Sequence, residues 1–390
     1  MFKTTVSALR CVQLKGSKNT SRKLPCASAL KLSSEKGELA GPSDIQFGTL
    51  ECETCHAKYP ILAGVAIVVP EVKDYLFSHV KGISKFVDDA QIPKAYRAEY
   101  LEVKAEILEE HIEEDLESER VNSLYLLNHY LRAEKSERQK WWKPSKGESS
   151  PLVEELVEKY WDLGPFSIVE KWVSELKDSK QTHAVELGCG VGGLSRVLAP
   201  YLKSYLGVDS SFASIVLARH LNLGARSPKI EGLQVPGDLI HGATSQNIPI
   251  EPKNLNESKI YQADFIVGEI QTMPVKEKTA ELTIALNSID MLDEPISLPR
   301  AQAELLRENG LVIQSCPYIW HTNVAKHLKS NLPRELKESE APSAGVVEWL
   351  YQKCNFQIEK RLDHVPWLFF KHFRQLELYS VHIFLARKQR

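Results

Sequence analysis

The segment HAVELGCGVGGLSRVLAPYLKSYLGVD, His183–Asp209, constrains the fold more than any other. Ala184–Leu187 is a short apolar strand. Gly188, Gly190, Gly192 and Gly193 follow at once, then an apolar-periodic helix through Leu198, then a second strand ending in Asp209. A strand, a tight turn, a helix and a second strand within about 30 residues make a βαβ unit, and such units predict an α/β fold around a parallel sheet. The glycines let the backbone take positive φ and approach a ligand closely. Gly188-x-Gly190-x-x-Gly193 fits the dinucleotide fingerprint, with Asp209 near the expected ribose acid, but that pattern alone is weak.

Three features favour a sulfonium nucleoside over a dinucleotide. Glu186 extends the pattern to E-x-G-x-G-x-G, and an acid there can hold an amino-acid ammonium. A dinucleotide turn normally opens its domain, whereas a helical region precedes this one. Downstream, YQADFIVGEIQTMPVKEKTAELTIALNSIDML carries Asp264-Phe265, a turn, and a strand Leu282–Leu286. Over about residues 150–390 the chain resembles the class I S-adenosylmethionine (SAM)-dependent methyltransferases.

That resemblance implies a Rossmann-like sheet of strand order 3-2-1-4-5-7-6 with helices on both faces. It also implies cofactor contacts. Glu186, Gly188, Gly190 and Gly192 match the first motif, and Asp209 matches the acid that binds both ribose hydroxyls. Asp264 matches the residue that bonds the adenine amine, with Phe265 against the ring. Ser210 and Asn287 complete the expected cofactor contacts. The chain departs from the family at Glu281-Leu282-Thr283, where an Asp is usual, and at Glu308-Asn309-Gly310, where Pro-Gly-Gly is usual. It also carries an insertion at about 224–259. The final stretch, LDHVPWLFFKHFRQLELYSVHIFLARK, reads as a closing hairpin.

The N-terminal stretch has a different composition. Its first 34 residues hold no acid and seven Lys or Arg. A mitochondrial transit peptide has that composition, but so does the basic half of a small metal module, and the cysteines continuing across the boundary favour the module. Cys52 and Cys55 form a CxxC knuckle. Two such thiolates hold half of a tetrahedral Zn²⁺ site. Cys11 is followed by Leu14 where a partner cysteine would sit, so Cys26 is the candidate to complete Cys11, Cys26, Cys52 and Cys55. Leu50, Cys52, Cys55, Tyr59, Pro60, Ile61 and Gly64 resemble the zinc-ribbon-like module related to the Trm112 activator. The alternatives are a β-module that keeps its fold without metal, and a redox CxxC. The redox reading is disfavoured because a Tyr-Pro and a strand follow. The closing stretch LDHVPWLFFKHFRQLELYSVHIFLARK, together with ALNSIDMLDEP and SCPYIW, also resembles a bacterial group of methyltransferases with a Trm112-like N-terminus.

The domains expected are a module at 1–70, a helical region and linker at 71–150, and a methyltransferase domain at 151–390. In the second, Leu101, Leu108, Ile112 and Leu116 predict one buried helical stripe beside a solvated acidic run at 109–115. His129 and Tyr130, on the next helix, are expected in core or capping positions. Tyr160 and Trp161 are either lid or core residues.

Seven cysteines with one CxxC pair argue for a reducing compartment, so a cytoplasmic location is expected. The 49 basic and 51 acidic residues give no global field toward nucleic acid or membrane. The longest apolar run, Ile61–Val69, is strand-sized, far short of a membrane span.

The expected function is methyl transfer from SAM to an unidentified acceptor, in the first instance a small molecule. An RNA or protein methyltransferase using the N-terminal module for its substrate is the second reading, and a non-catalytic SAM-fold scaffold is the third. No clear nucleic-acid footprint supports the second: basic clusters with interleaved aromatics are lacking, and Asn287-Ser288-Ile289-Asp290 stands where a base-amine enzyme carries Asn-Pro-Pro-aromatic. Doubly wound sheets bind ligands at the carboxyl ends of their strands. That rule selects Asn287, Ser288 and Asp290 after the fourth strand, and Cys316, Tyr318, Trp320 and His321 after the fifth. Asp290 and His321 are the candidate bases. His364 and Trp367 are candidates to shape the acceptor pocket.

Overall fold

The structure, a computed structural model, describes residues 1–16, 23–36, 44–110, 123–130, 150–224, 234–236, 247–257, 261–337, 342–372 and 375–390. The acidic run from His111 onward, Ile112 and Leu116, most of the linker before Pro151 and most of the 224–259 insertion lie outside these residues. The chain forms two compact units. The first comprises Met1–Trp141, Cys189–Arg196 and Tyr205–Lys276, and the second Trp142–Gly188, Val197–Ser204 and Glu277–Arg390.

In the first unit, β1 (Leu14–Gly16) and β2 (Lys23–Pro25) form an antiparallel ribbon. β3 (Leu30–Lys36), β4 (Phe47–Cys52), β5 (Lys58–Leu62) and β6 (Val65–Ala66) follow as an antiparallel sheet in chain order. The knuckle Cys52–Cys55 turns β4 into β5. The apolar run Ile61–Val69 is buried throughout. Burying each of its larger side chains contributes about 1.5–3 kcal/mol. The run does not stop at β6: Ile67 bridges Val267 in parallel, and Val68 N donates to Val267 O at 3.0 Å.

Seven strands make the central sheet. They are β7 (His183–Leu187), β8 (Ser204–Asp209), β11 (Gln262–Val267), β12 (Ala280–Leu286), β13 (Leu306–Cys316), β14 (Phe356–His372) and β15 (Gln375–Lys388), with β9 (Gln234–Pro236) and β10 (Asn247–Pro249) a separate antiparallel pair. Their order is β11-β8-β7-β12-β13-β15-β14, which is 3-2-1-4-5-7-6 as expected. β12 runs parallel to β7 and to β13, while β15 is antiparallel to β13 and β14. Parallel neighbours need long crossovers, and helix Ser297–Leu305 supplies the one between β12 and β13.

Helix Phe212–Leu223 leads from β8 and is buried along its whole length. Ser211 caps it by accepting Ser214 N at 3.3 Å, and Gly224 ends it at φ 63°. The stripe expected on helix Arg97–Glu110 is displaced by one residue, since Leu101 is 37% exposed and Tyr100 is fully buried. An aromatic ring fills the site facing Val80, to whose carbonyl Tyr100 also reaches.

In the second unit Pro151 and Pro165 open helices Pro151–Tyr160 and Pro165–Ser174, as the Gly164-Pro165 break predicts. Trp161 is a core residue, its ring 4.1 Å from that of Phe370. β14 and β15 form the expected closing hairpin.

Candidate functional site

The glycine turn and the end of β8 lie together in the first unit. Gly190 and Gly192 both hold positive φ, 51° and 75°. They serve different purposes. A Cβ on Gly192 would lie 2.7 Å from Phe265, 2.9 Å from Ala218 and 2.9 Å from Asn222. A Cβ on Gly190 would meet nothing within 4 Å. Gly192 is therefore a packing glycine, and Gly190 presents bare backbone to open space.

Asp209 joins the two segments. Its Oδ2 accepts Gly190 N at 2.9 Å and its Oδ1 accepts Ser211 N at 2.8 Å. Burial pushes the Asp209 carboxyl upward, and these N–H donors work against that push. Ser210 is exposed, and its carbonyl accepts the Tyr75 hydroxyl at 2.6 Å. The His79 ring stacks on Tyr75 at 4.0 Å, and burial lowers the His79 imidazole. Tyr130, expected in the core, is there: its hydroxyl donates to Val191 O at 2.5 Å, and Asn222 donates to it at 2.9 Å. The His129 Cβ covers Gly193, where an added Cβ would approach it to 2.5 Å. Cys189 is buried as a packing residue.

Asp264 and Phe265 lie inside β11, not beyond its end, because the strand runs on to Val267. Asp264 is 4% exposed. It pairs with Arg219 Nη1, and its Oδ2 accepts Thr5 Oγ1 at 2.6 Å and Phe2 N at 2.8 Å. Arg219 in turn reaches Asp44 Oδ1 at 2.5 Å. The Asp264 carboxylate is thus committed to a buried protein network. Phe265 is fully buried beneath Gly192 and Gly207. The acid past the carboxyl end of β11 is Glu269, half-buried, with Thr272 Oγ1 3.3 Å from its Oε2. Gly268 N, just before it, donates to Asp209 O at 3.0 Å.

The second unit holds the other expected residues. Glu186 is buried in β7. A Cβ on Gly188 would lie 2.5 Å from Ser288 Oγ. Asn287, at φ 53°, accepts Ser315 Oγ on its Oδ1 at 2.8 Å. Asp290 lies in the turn Ile289–Met291, is 1% exposed, and accepts Ile319 N at 2.8 Å. Burial pushes its carboxyl upward. Cys316 is fully buried, and burial followed by the nearby Asp290 charge pushes its thiol far up. His321 is exposed at the start of helix Thr322–Asn331 and makes no side-chain cap bond. His364 is exposed and bonds Ser380 Oγ at 2.8 Å, while Trp367 packs on Tyr379 at 5.1 Å.

The four N-terminal cysteines converge in the first unit. The sulfurs of Cys11, Cys26, Cys52 and Cys55 all lie within 4.8 Å of one another. Cys11 Sγ is 3.5 Å from Cys55 Sγ, and Cys26 Sγ is 3.9 Å from Cys52 Sγ. Four sulfurs at about 2.3 Å from a central Zn²⁺ would stand about 3.8 Å apart, so the donor set fits. Thr54 N and Cys55 N each donate to Cys52 Sγ at 3.4 Å. Tyr59 fixes the other ligand strand, since its hydroxyl accepts Val12 N at 3.1 Å and Gln13 N at 3.0 Å and lies 3.1 Å from Cys11 Sγ. His56 is exposed and pairs with Glu51.

No family model matches the chain, and no curated protein matches it significantly. Solved structures do match. The YcgJ protein of Bacillus subtilis is 10% identical at a TM-score of 0.36, covering 58% of this chain and 98% of that one. A SAM-dependent methyltransferase of Methanosarcina mazei is 15% identical at 0.36, covering 58% and 99%. The magnesium protoporphyrin IX methyltransferase of Synechocystis, solved with bound SAH, is 15% identical at 0.34, covering 68% and 97%. Likeness at this level concerns the fold alone, and the chemistry rests on this chain's own residues. Among the described residues no helix is long and apolar enough to cross a membrane.

Proposed function

We propose that the chain is a SAM-dependent methyltransferase whose acceptor is a small molecule. One observation carries the reading. Asp209 ties down the turn through Gly190 N while Gly190 itself faces open space. Each Asp209 oxygen accepts one N–H and keeps lone pairs for a pair of vicinal hydroxyls. Those are the groups a ribose presents. The sheet order 3-2-1-4-5-7-6 supports the same reading.

Gly190, Gly192, Asp209 and Ser210 take the cofactor's ribose side. Glu269 replaces Asp264 as the acid for the adenine amine, because it stands past the strand end, where open sheets bind ligands, and Asp264 is sealed by Arg219. Glu186, Gly188 and Asn287 keep the roles their positions in the sequence imply, Glu186 for the amino-acid ammonium. Bound SAM supplies an electrophilic methyl on a sulfonium. The chain's residues orient it for in-line displacement, and orientation of this kind is worth about 7–11 kcal/mol.

The cysteine cluster is a structural Zn²⁺ site. Four thiolates leave no open coordination position for substrate, so its role is to fold the module.

Calorimetry with SAM, followed by labelled-methyl transfer into fractionated lysate, tests the reading. We expect saturable SAM binding, with label entering a small-molecule fraction. Absence of binding sinks it. Label in RNA or protein moves the acceptor to the macromolecular class, and binding without transfer makes the chain a scaffold.

A further inference from the structure

Beyond the carboxyl end of β13, the second unit contains a chain of polar groups that the cofactor reading does not use. Tyr318 holds φ 62°, a left-handed conformation that a bulky residue rarely adopts. Two bonds hold it there: Tyr318 N donates to Cys316 Sγ at 3.3 Å, and Ile319 N to Asp290 Oδ2 at 2.8 Å. Its hydroxyl is 2.9 Å from His382 Nδ1, and the two rings lie nearly parallel, 19° apart. His382 sits on β15, directly opposite Cys316 in register, and is 1% exposed. Its Nε2 is 3.2 Å from Glu348 Oε1, and Glu348 is 6% exposed. Arg361, mostly exposed, reaches the other Glu348 oxygen at 3.3 Å.

Burying an imidazole and a carboxylate costs free energy that an apolar pair in the same space would avoid. Backbone strain at Tyr318 adds about 1–3 kcal/mol. Both costs fall at a strand's carboxyl end, where a doubly wound sheet works on its ligand. Glu348 Oε1 and His382 Nε2 approach as charges and not in hydrogen-bond geometry; a carboxylate that close favours hydrogen on Nε2, which leaves Nδ1 to accept the phenol's proton. The phenol oxygen then keeps lone pairs for a proton arriving from outside. Burial holds the phenol far above its ordinary range, so Tyr318 stays protonated and passes protons through rather than acting as a phenolate.

We propose that Tyr318 is a catalytic residue that takes the proton of the methyl acceptor while handing its own to His382, with His382 and Glu348 as positioning residues behind it. This rests on the methyltransferase reading above. The balance closes. The acceptor X–H gives its proton to Tyr318 Oη, and the Tyr318 proton moves to His382 Nδ1. The X–CH₃ bond forms as the S–CH₃ bond breaks, its electron pair staying on sulfur. The positive charge leaves the sulfonium and appears on the imidazolium beside Glu348. The acceptor class follows: a hydroxyl or a neutral amine nitrogen that carries hydrogen, not a carboxylate or tertiary amine, which have no proton to lose.

The test uses the full chain, labelled SAM and fractionated lysate, with initial rates taken across lysate concentration. Tyr318→Phe should lower transfer about 100-fold or more while calorimetric SAM affinity holds, and His382→Asn should do the same. Besides Glu348, the charged or titratable groups facing this pair are Cys316, Asp290 and Asp363, with Arg361 on Glu348. Glu348→Gln removes the charge that favours the imidazolium and should lower the maximal transfer rate while SAM affinity and the lysate concentration giving half that rate hold, a split that a purely structural role would not produce. Wild-type rates in Tyr318→Phe overturn the proposal. If Tyr318→Phe does not fold, an unchanged maximal transfer rate in Glu348→Gln overturns it instead. SAM binding without transfer by the wild type overturns the relay and leaves cofactor binding standing, whereas absence of SAM binding overturns the parent reading as well.

Discussion

Gly190→Ala and Gly192→Ala add the same methyl group to two turn residues of the same backbone type, yet the structure predicts opposite consequences. Both residues have positive φ, so each alanine costs about 1–2 kcal/mol of backbone strain, partly offset by about 0.4–1 kcal/mol from a stiffer unfolded chain. At Gly192 the methyl also meets Phe265 at 2.7 Å and Ala218 and Asn222 at 2.9 Å, all buried and unable to retreat cheaply. Overpacking of that kind adds about 1–3 kcal/mol. Gly192→Ala should therefore lose about 2–4 kcal/mol, and Gly190→Ala about 1 kcal/mol, summing the same terms. Binding should order the other way. The Gly190 methyl enters the open space assigned above, by proposal, to the cofactor, and on that assignment SAM affinity should fall at least about tenfold, the equivalent of one lost contact of 1.4 kcal/mol. Urea unfolding followed by circular dichroism measures the first quantity, and calorimetry on the folded protein the second. Equal destabilisation by the two variants, or wild-type SAM affinity in Gly190→Ala, would refute the division between a packing and a binding glycine.

Asp264→Asn strips the charge from a buried pair and should cost about 3–5 kcal/mol in urea, with SAM affinity kept in the folded fraction; Glu269→Gln should do the reverse, and equal affinity losses would return the adenine role to Asp264. Asp209 gives the pH dependence. Its folded carboxyl is raised by burial, so the fold favours the protonated form, and stability falls as pH rises through the carboxylate range into the folded value. Asp209→Asn should therefore melt no lower than wild type at neutral pH, with any advantage shrinking in acid, while SAM binding is lost; differential scanning fluorimetry at the two pH values and calorimetry check both halves. Cys26→Ser should release zinc, measured by atomic emission against the wild type, and lower the melting temperature of the module, whereas unchanged metal content would remove Cys26 from the ligand set.

The parallel sheet was legible because its evidence is local. The β7–glycine–helix–β8 unit lies within 27 consecutive residues, His183–Asp209, and its alternation from apolar run to glycines to helical period reads directly from the chain. The closing hairpin and the two proline-opened helices are local in the same sense. The misread element was β11. Its apolar run contains Asp264, and an acid inside a strand looks the same in sequence as an acid at its end. Only Arg219, 45 residues away, and Asp44, 220 away, show that Asp264 is neutralised inside the fold.

The sequence by itself determined the fold class, because hydrogen-bonded elements and their turns are written in periods of two and 3.6 residues; the strand order was what the family resemblance implied. It also supplied four cysteines without fixing how they meet. Tertiary structure decided the rest: that Cys11 and Cys26 join the knuckle of Cys52 and Cys55, that Asp264 is sealed while Glu269 stands at the strand end, and that Tyr318, Glu348 and His382 form one line. Such juxtapositions bring together residues up to 262 positions apart. A polar side chain's work is set by the partners and burial it acquires when distant strands come into register, and no local period encodes those.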